Sequence, residues 1–204
     1  MFCLCLSQVP MHRAVSRYLF EVSLGADLPP HVWACSMLYY HAYQEYSSDR
    51  DHNPVSASNF TNALVVGVSC LVLSVKANES YLNTMKPGIN HVQRLQATIE
   101  AAARCTLSYT VSSASTEKIV QLKRKLKDFV PVVELAIMRV IGNSLEPTTA
   151  FTQIRCSQAQ AAVLIEIYSN PLSLNYPLEV FCDLVSGPRT CATDSIIQIL
   201  DSTQ

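Results

Sequence analysis

The sequence predicts an all-helical protein, and three observations carry that prediction. Apolar residues recur at helical spacing through most of the chain, whereas strict polar–apolar alternation over a strand length is hard to find. A thirteen-residue apolar run, Ala63 to Val75, is more than twice the ~5 to 6 residues of an ordinary strand and is interrupted by Gly67. Proline and glycine fall between the periodic segments, at Pro29-Pro30, Pro87-Gly88, Gly142 and Pro171, where helices begin or end.

The first predicted helix covers His12 to Leu24, with Val15, Tyr18, Leu19 and Val22 on one face and Gly25 as its stop. Pro29 and Pro30 suit the opening turn of a second helix, which runs to about Tyr46 and is apolar or aromatic around most of its circumference. Residues Ser47 to Ser58 read as a solvated loop, and Ser58 or Asn59 as the cap of a third helix built on the apolar run. That helix is too short to span a membrane, which takes ~18 to 20 apolar residues, and it keeps Ser69, Cys70 and Ser74 inside it. It ends in Lys76, delivering one charge to a surface.

Lys86-Pro87-Gly88 predicts a turn, and Asn90 the cap of a helix from His91 to Cys105. The hydroxyl-rich stretch Thr106 to Thr116 reads as a connection. Two helices are expected next, Glu117 to Phe129 and Pro131 to Ile141, with Pro131 opening the second. The last 53 residues have room for about three more: Ser157 to Tyr168, Tyr176 to Val185 and Asp194 to Leu200.

Composition bounds the function. The 204 residues are 49% hydrophobic and only 15% charged, with a net charge of −1, so no overall basic field draws in nucleic acid or an anionic membrane. Neither partner is expected. The eight cysteines form no CxxC pair and several sit in apolar runs, which points to buried thiols. The start, MFCLCLSQVP, lacks the basic and long apolar regions of a secretory signal, so a nuclear or cytoplasmic location is expected. Two sequons, at Asn59 and Asn78, then read as chance. No HExxH, glycine-rich phosphate loop, nucleophile elbow or zinc-ligand spacing is present. No catalytic residue, metal or cofactor is expected. The basic run Lys123-Arg124-Lys125-Leu126-Lys127 reads as the solvated face of a helix that packs Ile119, Leu122 and Leu126 inward.

Two charges break apolar surroundings most sharply, Lys76 and Glu134. Around them the chain resembles the cyclin family. LVLSVKANES resembles the LASK-[VF]-EE signature closing the third helix of a cyclin box, and VELAIMRVIG resembles the E-xx-IL signature of its fifth. LPPHVWACSMLYYHAY resembles the second cyclin-box helix, Pro147 with Phe151 its exit, and LSLNYPLEVFCDLV the second box of transcription-associated cyclins. Each motif alone is weak; their ordered succession over most of the chain carries the resemblance.

The resemblance implies a cyclin fold: one five-helix box over residues 11–151, with Thr84 to Thr116 as an insertion, and an abbreviated second box over 152–204. It implies a non-catalytic subunit that binds and activates a cyclin-dependent kinase, meeting protein substrates through that kinase, in transcription or cell-cycle control. Lys76 and Glu134 would grip the kinase, with Leu73, Ala77 and Met138 in the apolar surface around them. Glu100, in TIEAAARC, competes with Glu134 for the acidic role. The chain departs from the family pattern at Asn78, which replaces the first glutamate of KVEE, and at Ala42, which replaces the arginine of FHRF. An aromatic is missing near Gly142 and Asn143. A cyclin-fold transcription factor or adaptor that activates no kinase is the alternative.

Overall fold

A computed structural model of the chain describes residues 9–48, 60–110, 116–142, 148–154, 157–175 and 177–186. Among the described residues every regular element is helical, as the sequence predicts. The predicted Ser58 or Asn59 cap, the helix Asp194 to Leu200 and the Pro147 exit lie outside them.

Helix α3 (Phe60–Ala77) is the axis of the bundle. Leu64, Val66, Leu71, Val72, Leu73 and Val75 are all buried, so it is enclosed on every side rather than on one stripe. Around it pack α1 (Val9–Gly25), α2 (Pro30–Ser48), α5 (His91–Thr110) and α6 (Thr116–Ile141), while the short α4 (Glu79–Met85) follows α3 directly. Gly67 makes the closest approach possible: a Cβ there would lie 3.2 Å from side-chain carbons of Leu19 and Val15 on α1. No single described helix is long and apolar enough to cross a membrane, and α3 and α4, which pass by composition together, are bent 70° at their junction.

Two expectations are corrected. Residues 116–141 form one helix, not two, with Pro131 inside it. Leu126, Val130, Val133 and Ile137 give a continuous buried face across the proline, and packing of that face outweighs the lost backbone bond. Pro131 is exposed, leaving the orphaned Lys127 carbonyl within reach of water. The connection expected from Thr106 starts later, because α5 continues to Thr110; Thr106 bonds back to the Ala102 carbonyl at 2.8 Å, Tyr18 on α1 bonds its hydroxyl at 2.8 Å, and Leu107 is buried. Within the stretch expected as an insertion, Ile99, Ala101, Ala102 and Ala103 of α5 belong to the core, and α1 to α6 precede residue 142 among the described residues.

The caps follow the sequence closely. Asn90 and Gln93 exchange side-chain to backbone hydrogen bonds of 3.0 and 2.8 Å at the start of α5. Buried Arg94 donates to the Leu82 and Lys86 carbonyls and to Asn83, closing the exposed end of α4. Gly142, at φ +61°, ends α6. After it come α7 (Ala150–Gln153), α8 (Gln158–Ser169), a 3-10 turn over Pro171–Asn175 and α9 (Leu178–Ser186). Ser157 caps α8 in a reciprocal box with Gln160. Leu164, Ile167, Tyr168 and Phe181 from these elements join the same hydrophobic core as α1 to α6.

Candidate partner-binding site

Lys76 stands in the last turn of α3, where a cation is favoured by the helix dipole, and Glu134 stands in the last third of α6. Because these helices pack side by side, the two meet: Lys76 Nζ lies 2.8 Å from Glu134 Oε2. The pair is asymmetric in burial, the lysine side chain being 42% exposed and the glutamate 7%. Glu134 is thus held at the rim of the core by a lysine that remains half in water. Its second oxygen, Oε1, is enclosed and accepts no hydrogen bond among the described residues. What the pair offers to the surface is therefore the half-exposed ammonium of Lys76, anchored from beneath by the carboxylate.

Glu100, the competing acid, is engaged elsewhere. Lys123 at 2.8 Å and Arg104 at 2.6 Å bind its two oxygens, and these hydrogen bonds hold its carboxyl below the ordinary range.

The apolar surroundings differ from expectation in part. Met138, one turn beyond Glu134, is 40% exposed, and Ala77 is half-buried. Leu73 is buried in the core, because the face of α3 it occupies is covered by its neighbours. The open apolar surface comes instead from α6, where Phe129, Val132 and Leu135 are more than half exposed. A signal for them was present: at i+3 spacing they rotate off the buried row of Leu126, Val130, Val133 and Ile137.

Directly behind Lys76 a buried polar network fixes the end of α3. Asn78 donates its amide to the Ser74 carbonyl at 2.9 Å, so its Oδ1 faces His31 Nε2 at 2.8 Å and accepts its hydrogen. His31 Nδ1 then accepts from the Thr149 hydroxyl at 2.8 Å. The Asn78 sequon is accordingly committed inside the fold, and Asn59 lies outside the described residues. Cys35 Sγ sits 3.7 Å from His31 Nδ1, giving a Cys–His–Asn grouping. It lacks the properties of a nucleophile: burial pushes the Cys35 thiol up to about 12 and lowers the His31 pKa, so neither thiolate nor imidazolium is favoured. All three side chains are enclosed. Among the described residues no group of three or more His, Cys, Asp or Glu side chains is placed to hold a metal ion.

What this arrangement can do chemically is present one anchored cation, Lys76 held by buried Glu134, beside an apolar helix face. No family model matches the chain, and no curated protein or solved structure matches it either. The site has to be read from its own geometry.

Proposed function

We propose that this chain is a cyclin-like regulatory subunit that binds and activates a cyclin-dependent protein kinase. One observation carries the reading: Lys76 and Glu134, far apart in sequence, meet at 2.8 Å with the lysine half-exposed, next to exposed Leu135 and Met138 on α6. The half-exposed Lys76 ammonium would donate to a backbone carbonyl of a docked segment, while apolar side chains of that segment cover α6, an arrangement of apolar burial and polar orientation typical of binding hot spots. Such a subunit does no chemistry itself. It acts by holding kinase elements in the arrangement that pairs the catalytic lysine and glutamate of the kinase. Supporting the reading are the ordered succession of cyclin-type motifs and an all-helical bundle centred on α3.

The test is co-purification with cyclin-dependent kinases and assay of the captured kinase. Leu135→Glu with Met138→Glu, at exposed positions, is expected to leave folding intact and to abolish both capture and stimulation. A wild-type chain that captures no kinase defeats the proposal. Capture without stimulation would make the chain an adaptor.

A further inference from the structure

Helix α6 carries a second pattern on its open side. Arg124, Lys125 and Lys127 are exposed, and none has an acidic partner among the described residues, whereas Lys123 is occupied by Glu100. Through i+3 and i+4 steps, Lys125 lies on the row of Phe129 and Val132, and Arg124 on the row of Asp128, Pro131, Leu135 and Met138. The exposed surface of the helix therefore changes character along its axis. It is basic over residues 124–127, relieved only by Asp128, then apolar over 129–138, a length of about 14 Å at 1.5 Å per residue, with Arg139 beyond.

We propose that α6 docks a protein segment whose one end is apolar and whose other end is acidic. The apolar end covers Val132, Leu135 and Met138, and a run of Asp or Glu lies over Arg124, Lys125 and Lys127. Charge complementarity selects this occupant: three cations without acidic partners among the described residues repel a basic segment, and a purely apolar one leaves them unmatched. The lengthwise order also speaks against a membrane surface. A helix lying on lipid sets its apolar side down along its whole length with cations flanking it, whereas here the two characters succeed one another end to end. The inference rests on the reading of α6 as the docking helix, but not on the partner being a kinase.

The experiment places a photo-crosslinking benzoylphenylalanine at Val132 or at Lys125 of the full chain in cells and sequences the joined peptides. Both positions are expected to capture one protein, with an apolar peptide at 132 and an acidic peptide at 125. The captured segment, made as a synthetic peptide, should bind the purified chain. Reversing all three charges (Arg124→Glu, Lys125→Glu, Lys127→Glu) should weaken that binding about tenfold and remove its salt dependence, with the thermal unfolding midpoint unchanged because all three side chains are exposed. A neutral or basic peptide at 125, lipid or nucleic acid at either position, no crosslink at either, or binding unmoved by the reversal overturns the proposal. A kinase joined through a neutral segment at 125 overturns it while leaving the kinase reading intact. An acidic–apolar segment from a protein that is no kinase supports it and defeats that reading.

Discussion

Glu134 has two distinguishable oxygens: one is neutralised by Lys76 and the other is enclosed and faces no donor among the described residues. Removing the lysine leaves a buried carboxylate uncompensated, and Lys76→Glu sets two carboxylates against each other. That single change is expected to cost about 2 kcal/mol, below the ~3–5 kcal/mol of a fully buried pair because the lysine stays partly in water. Adding Glu134→Lys should return most of the stability in a chemical-denaturation measurement, yet leave kinase capture absent, since polarity at the rim is reversed. Stability and capture recovering together would show that the pair serves folding alone. A second residue-level consequence concerns pH. Burial lowers the pKa of His41 to about 3, and burial also lowers those of His12 and His31. In the unfolded chain all three protonate near 6.5, so there the unfolded state binds more protons. Stability is therefore whole above pH 6.5 and declines below it, His41 alone contributing up to ~1.4 kcal/mol per pH unit down to about 3. Urea midpoints measured from pH 7 to 5 should fall, and His41→Phe should flatten the fall.

At the scale of elements, Pro131 interrupts the backbone bonding of α6 without ending the helix. Pro131→Ala restores the bond to the Lys127 carbonyl at an exposed position, and an increase in stability of about 1–3 kcal/mol is expected by thermal unfolding. No gain would mean that the proline's rigidity offsets the missing bond through the unfolded state. Gly67 works in the opposite sense, since Gly67→Leu drives carbons into Leu19 and Val15 of α1 and should cost more than ~1–3 kcal/mol. These elements show what the sequence made legible and what it hid. Caps at Asn90 and Ser157, the stop at Gly142 and the apolar run of α3 are local signals, and each lies where local chemistry places it. The continuity of α6 through Pro131 and of α5 through Thr106 depends on neighbours supplied by other helices, which no local window contains. The same distinction holds at the site: the charges of Lys76 and Glu134 stand out in one dimension, whereas the burial of Leu73 is decided by what packs over it.

Over the whole molecule the decisive relation is between the helices before residue 142 and the elements after it. Tyr168 of α8 accepts a hydrogen bond from His41 through its carbonyl at 3.0 Å, and its hydroxyl accepts from the Ala150 backbone N–H at 2.9 Å. Ser16 on α1 meets Ser169 on α8 at 2.5 Å, and Thr149 closes the His31 network at the end of α3. The later elements thus supply His41 and Ser16 with partners and His31 with its second one, and they cover part of the aromatic face of α2. A chain cut after residue 147 would expose that face and take one hydrogen bond each from His31 and His41. Loss of two buried hydrogen bonds at ~1–3 kcal/mol each, together with the burial of Leu164, Ile167, Tyr168 and Phe181, exceeds a large part of the ~5–15 kcal/mol that stabilises an ordinary domain. The truncated chain is expected to unfold at a much lower temperature, by circular dichroism, and to bind a dye for exposed apolar surface. An unchanged midpoint would show instead that residues 9–142 form a self-sufficient box, with the Lys76–Glu134 rim and α6 able to dock a partner unaided.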